Sequence, residues 1–490
     1  MLLSAVFVIF LILFFSDHLF RRNLLYPPGP KPLPFIGNLL SIELQLRRLK
    51  YHHKIWSYWV QKYGNILGLR IGRVNIVIIS GKELIRAVSS REVFEGRPDG
   101  FFYCMRSFGK KLGIVFNEGP SWHKTRRVVL KYLKNFGFNT HYMETYITEE
   151  CNALIKLRMS DAGQPILVNE MFNISIINIL WRLVAGKRFE LDDDKLKTLC
   201  DLITREFRQA DMTGGILNFF PFIRYIAPGL SGYNEIRSCN RAVHKFIKET
   251  IEQHEQTLDV KNPRDVIDAI LIEKREENSH FTDEELQVVC LDLLESGMET
   301  VADTIVFMLL HIVRNDVVQA LLHKEIDDVI GPSRQPALSD RASMVYTEAV
   351  LLESLRISSV APVGIPHMAL DDARLDNYVI PKGTFILLLM HELHNGNHWK
   401  DAHEFRPERF ITKEGNMMQD ECLMPFGTGR RRCIGEGLAR SELFMFLTHL
   451  LQKFQLKVPE GEPIPSAEPN NGLTLSAKPF KVIFEPRPSA

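Results

Sequence analysis

Pro425-Phe426-Gly427-Thr428-Gly429-Arg430-Arg431-Arg432-Cys433-Ile434-Gly435 runs straight into Glu436 to Lys453, a Pro-free stretch with helical apolar spacing. The spacing predicts a helix over 436–453, with Cys433 just ahead of its N-terminus. Free N–H groups and the helix macrodipole stabilise a thiolate there, and the flanking arginines add to the effect. Taken singly, such a Cys is a ligand, a nucleophile or a small buried apolar residue. The chain has seven Cys, an odd number. The other six (104, 151, 200, 239, 290 and 422) are scattered and form no CxxC pair. That excludes a disulfide framework or a zinc finger and fits a reducing compartment.

Working back along the chain, Thr282-Asp283-Glu284-Glu285 has the form of a capping box, and no Pro follows until after Arg314. A helix of about thirty residues, roughly 45–50 Å long, is predicted there. Within it, Ser296-Gly297-Met298-Glu299-Thr300 places a Gly, an acid and an alcohol in an otherwise apolar segment. A mid-helix Gly costs up to about 1 kcal/mol relative to Ala, so it has a reason: a close helix crossing, with Glu299 exposed, or a functional site. Ile66 to Ile79 shows two β-branched runs around Gly72-Arg73, a hairpin signal. The remaining β-like pieces (377–380, 384–390, 473–475) are short, and most of the chain beyond Lys82 has helical spacing. A mainly α protein with small β-sheets follows, and no repeat points to a solenoid.

Composition narrows the function. The chain of 490 residues carries 60 Lys+Arg against 59 Asp+Glu, so a nucleic-acid partner is not expected. Its 45% apolar content excludes a disordered chain. Met1 to Phe15 is apolar except for Ser4, and Arg21-Arg22 follows shortly after. Without a basic n-region or a small-residue cleavage site, this reads as a transmembrane anchor over 1–22 rather than a signal peptide. The positive flank puts the body in the cytosol. Pro27-Pro28-Gly29-Pro30-Lys31-Pro32 makes 23–37 a stiff connector, and 38–490 is the body. His391-Glu392-Leu393-His394 is one residue short of HExxH spacing and reads as a loop, with no metal expected there or at His398. Asp192-Asp193-Asp194 reads as a solvated loop.

Several separated stretches then fall into one order. The 425–435 loop has the spacing FxxGxRxCxG, Glu353-Ser354-Leu355-Arg356 has the form ExxR, and Phe405 to Phe410 contains PERF. Trp122-His123-Lys124-Thr125-Arg126 has the form WxxxR. Together with the 296–300 segment these resemble the cytochrome P-450 family over residues 27 to about 485, nearest its microsomal animal group and in an insect-like version. The resemblance implies the cytochrome P-450 fold, a single large haem domain behind the anchor, and haem b as cofactor. Cys433 would be the axial iron ligand, with Phe426, Gly429 and Gly435 shaping the loop around sulfur and porphyrin. Trp122 and Arg126, one turn apart, would reach a haem propionate together with Arg431 and His367 and with Lys110 or Lys111. Glu353, Arg356 and Arg409 would form a buried structural network. Thr300 and Glu299 would deliver protons to bound dioxygen. Two positions depart from the family's habit: Ser296 stands for Ala or Gly, and Val301 for Thr or Ser.

No flavin or nicotinamide fingerprint is present, so electrons come from outside, by resemblance from the NADPH-cytochrome P-450 reductase. Arg127, Lys131 and Lys134 on the Trp122 helix, with Arg430, Arg432 and Arg440, offer it a basic face. Phe116, Leu293, Val360, Val363, Ile365 and Leu473 would line a pocket for a lipophilic substrate (hormone, terpenoid, steroid or xenobiotic), and 216–223 either dips into the bilayer or packs inside. The resulting expectation is an O2-dependent monooxygenase on the cytosolic side of the endoplasmic reticulum membrane. An oxygen-independent haem isomerase and a non-catalytic haem sensor or carrier are the alternatives.

Overall fold

A computed structural model describes residues 25–277 and 279–488; the anchor expected over 1–22 lies outside them. The architecture is mainly helical with small sheets, and the helix Asp283–Val313 (31 residues) is its axis. This central helix is apolar all round and packs against Asn173–Ala185, Tyr233–Thr257, Val345–Ser358 and Glu436–Lys453. Among the described residues it alone is long and apolar enough to cross a membrane, and it is buried within the protein. Thr282 caps it by accepting from the N–H of Glu285. The reciprocal half of the expected box is missing, because Glu285 instead accepts from the Thr125 hydroxyl at 2.7 Å. Gly297 marks a close crossing: a Cβ there would lie 2.7 Å from Leu180 Cδ2.

The expected hairpin is present as Ile66–Ile71 and Val74–Ile79, paired antiparallel with Ile71 opposite Val74. It extends into a four-stranded sheet by parallel pairing of Val74–Ile79 with Phe385–Leu388 and antiparallel pairing of the latter with His367–Met368. The 473–475 piece is no strand; it lies between the paired short strands Pro469–Asn470 and Ser476–Ala477. His391 to His394 lies in a short helix, Met390–Asn395, not a loop, and Asp193 caps the helix Asp194–Phe207.

The Pro-rich segment is seated on the body. Tyr26 donates its hydroxyl to the carbonyls of Leu69 and Ile76, both at 3.0 Å, and a Cβ on Gly29 would lie 1.9 Å from the Gly68 carbonyl oxygen. In 216–223 the reading splits by residue: Leu217 and Asn218 are buried, whereas Ile216 and Phe222 are exposed. The exposed apolar run continues beyond it through Tyr225, Ile226 and Leu230.

Candidate active site

A cavity of about 380 Å³ lies between the central helix and the 425–435 loop. Cys433 lines it. The predicted helix forms as Glu436–Lys453, and Cys433 is anchored by its N–H donating to the Phe426 carbonyl at 3.0 Å. Burial pushes the Cys433 thiol up, and the backbone N–H groups of Gly435 and Glu436 pull it back down. The helix terminus only partly offsets desolvation here, so a thiolate at this position calls for a bound cation. The two loop glycines differ in purpose. Gly435 lies beside the sulfur, since a Cβ on it would come 3.8 Å from Cys433 Sγ. Gly429 was expected to serve the porphyrin side, but its close approach is to the helix Lys82–Ser90: it has φ +70°, and a Cβ would lie 2.3 Å from the Ser89 carbonyl oxygen.

Arg97, Arg126, Arg431 and His367 line one part of the cavity. Among the described residues none of the three guanidiniums has a carboxylate within ion-pairing distance. Their hydrogen bonds go to backbone carbonyls: Arg97 Nη1 to Pro366 (2.8 Å), Arg126 Nη2 to Arg432 (2.9 Å) and Arg431 Nη2 to Asn117 (2.8 Å). Arg431 Nη1 is buried without any partner. Burial, with Arg126 beside it, brings Arg431 down to about 9, and burial plus the Arg431 and Arg126 charges lower Arg97 as well. Unpaired buried cations of this kind require anions. A porphyrin that brings two carboxylates on an apolar disc satisfies them, so the residues fit a haem bound through Cys433.

Arg97 was not anticipated. It reaches the site because the Met368 N–H donates to the Gly96 carbonyl at 2.7 Å, and no local pattern marks that long-range bridge. Trp122 is placed differently from the expectation. Its indole N–H donates to the Ile114 carbonyl (3.1 Å), and its ring lies 3.5 Å from the Arg431 guanidinium carbon, so it supports Arg431 and does not line the cavity. Lys110 and Lys111 are also elsewhere, paired with Glu284 and Glu118. Phe426 lines the cavity.

On the central helix, Ser296, Thr300 and Thr304 stand at i, i+4 and i+8 and all line the cavity. Each hydroxyl donates back to a carbonyl four residues earlier; Thr300 Oγ1 donates to Ser296 at 2.7 Å. Glu299, expected as the acid partner of Thr300, does not line the cavity. Its carboxylate is held by Arg208 at 2.6 Å and by the Thr204 hydroxyl at 3.0 Å. Arg208 also reaches Asp303 at 3.2 Å, so Glu299 belongs to a buried ion cluster.

The network of Glu353, Arg356 and Arg409 forms. Arg356 Nε lies 2.7 Å and Arg409 Nε 3.0 Å from Glu353 Oε2, with the Glu353 and Arg356 side chains fully buried. Of the six apolar candidates, Phe116, Leu293, Val360, Ile365 and Leu473 line the cavity. Val363 packs instead in the core beside the sheet. His394 has both ring nitrogens engaged, by the Ser359 hydroxyl and the Met424 N–H.

The cytochrome P450 family model matches residues 27–484. A farnesoate epoxidase of Bombyx mori is 62% identical over 487 residues, 99% of each chain. A vitamin D(3) 25-hydroxylase of Sus scrofa and cytochrome P450 2D4 of Rattus norvegicus are each 34% identical over 99% of this chain and 98% of their own length.

Proposed function

The chain belongs to the cytochrome P450 family of monooxygenases, which carry a thiolate-ligated haem, and on that premise we propose that it inserts one atom of O2 into an olefin-bearing isoprenoid. The observation that carries the reading is the pairing, in one cavity, of Cys433 at a helix N-terminus with the unpaired cations Arg97, Arg126 and Arg431. Cys433 is the proposed iron ligand, and Arg97, Arg126, His367 and Arg431 are the proposed propionate partners. When bound, the haem supplies dioxygen activation, for which a thiolate ligand is suited because it pushes electron density toward O–O cleavage. Thr300 Oγ1 is tied as a donor to the Ser296 carbonyl, so its lone pairs orient a water that passes protons into the cavity. Phe116, Leu293, Val360, Ile365 and Leu473 exclude bulk water and hold a lipophilic chain.

The Bombyx mori relative acts, by its name, on farnesoate, an isoprenoid acid with olefins to epoxidise. The relatives are named for oxidations, which leaves the isomerase and carrier alternatives without support. We place the enzyme on the cytosolic side of the endoplasmic reticulum membrane, with NADPH-cytochrome P450 reductase as its electron donor. Arg127, Lys131 and Lys134 are exposed and unpaired among the described residues and supply the docking charge, whereas Arg430, Arg432 and Arg440 are engaged by Glu95 and Glu436.

The ligand assignment is tested by the red-shifted carbonyl difference spectrum of the reduced protein. Cys433→His should abolish it and Cys422→Ser should leave it intact; the reverse pattern overturns the assignment. Turnover with NADPH, reductase, O2 and an isoprenoid olefin tests the reaction, and absence of any oxygenated product overturns it.

A further inference from the structure

A second charged group lines the same cavity: Arg106, Asp292, Glu295 and Glu206. Arg106 Nη1 lies 2.5 Å from Asp292 Oδ1, and Nη2 lies 2.7 Å from Glu295 Oε2. Asp292 is saturated, because its Oδ2 also accepts the N–H groups of Ile114 (2.6 Å) and Val115 (2.9 Å). The two glutamates are not. Glu295 Oε1 and Glu206 Oε2 are buried with no partner, on residues only 6% and 8% exposed. Three buried carboxyl groups share one guanidinium, and mutual repulsion with desolvation keeps a proton on at least one of them. Burial, with Glu295 nearby, pushes Glu206 up to about 8. The cavity wall therefore presents a free acceptor and a free O–H donor side by side in an otherwise apolar chamber. Each costs stability unless a ligand completes it.

We propose that Glu295, Glu206 and Arg106 form a head-group subsite that binds the carboxylic acid end of an amphiphilic substrate. The proposal rests on the reading of this cavity as the substrate chamber. A carboxylic acid offers one O–H and one carbonyl oxygen: the O–H donates to Glu295 Oε1, and the carbonyl accepts from Glu206 or from Arg106. No bond is made or broken. The methyl ester lacks the O–H and leaves Glu295 stranded, and the primary alcohol lacks the carbonyl. A site built to hydrogen-bond a hydroxyl discriminates strongly against an analogue without one. The acid end would fix which olefin along the chain lies near Thr300, so these are specificity-determining, not catalytic, residues.

The test is equilibrium dialysis of the haem-loaded full-length enzyme with a labelled isoprenoid carboxylic acid, its methyl ester and the matching primary alcohol. The acid should bind at least about tenfold tighter than either. Glu295→Gln should remove that preference by weakening the acid alone, and Glu206→Gln repeats the comparison if the first variant fails to fold. Equal binding of acid and ester by the wild type overturns the subsite, as does equal weakening of both ligands in the variants, which would mark a purely structural role. An alcohol that binds as tightly as the acid overturns the carboxyl assignment. An acid preference without oxygenation of any ligand would sink the turnover reading and leave the subsite standing, whereas oxygenation of acid and ester with equal affinity would do the opposite.

Discussion

Replacing Thr300 by Ala removes the middle hydroxyl of the Ser296, Thr300, Thr304 ladder without touching the cation cluster that receives the haem. Haem content should therefore stay unchanged while product formed per NADPH consumed falls, on the order of tenfold or more, and hydrogen peroxide takes up the difference. An unchanged ratio would assign proton delivery to Ser296. Thr300 was legible because an alcohol is unusual in an apolar helix. The orientation of Glu299 was not: whether it meets Thr300 or Arg208 depends on the helix packed beside it. Arg97 and Arg106 escaped notice for a related reason. Nothing around either marks a site, and each gains its meaning from partners about 180 to 330 residues away in sequence.

At the level of elements, the 425–435 loop is held in place by Gly429. Gly429→Ala would put a side chain at φ +70° and drive its Cβ onto the Ser89 backbone, which has no soft side chain to yield. Haem incorporation should fall severalfold or more, measured as Soret absorbance per protein. Gly435→Ala meets Sγ only at ordinary contact distance and should retain most of its haem, so equal loss in both would refute the distinction. The hairpin and the helices over 283–313 and 436–453 could be read from sequence, since turn chemistry, capping and periodicity are local. The 473–475 piece was misread because three β-prone residues in a turn look like a strand until their partners are known.

For the whole molecule, two surfaces carry the remaining predictions. Lys131→Glu with Lys134→Glu should slow reduction by the flavoprotein severalfold and leave substrate affinity unchanged, and wild-type reduction should weaken as salt rises, since exposed charges are screened beyond about 8 Å at physiological ionic strength. A salt-independent rate would refute electrostatic docking. Deletion of residues 1–24 spares Tyr26, whose hydroxyl bridges Leu69 and Ile76, so the truncated protein should fold and bind haem. It should still float with lipid vesicles through the exposed Phe222, Tyr225, Ile226 and Leu230, and Phe222→Asp with Ile226→Asp should release it. A truncated protein that stays in solution would leave 1–24 as the membrane contact. The sequence by itself determined the thiolate loop and its helix, the ExxR pair and the hydroxyl-bearing helix, because each is a spacing within one or two turns of chain. Only the tertiary structure decided which charges stand together. Arg97, Arg126, His367 and Arg431 come from four separate segments, and Trp122 turns from the cavity to support Arg431. Long-range packing sets those encounters, and burial gives them their force, since a cation counts for little in water and for a great deal where only an anion can satisfy it.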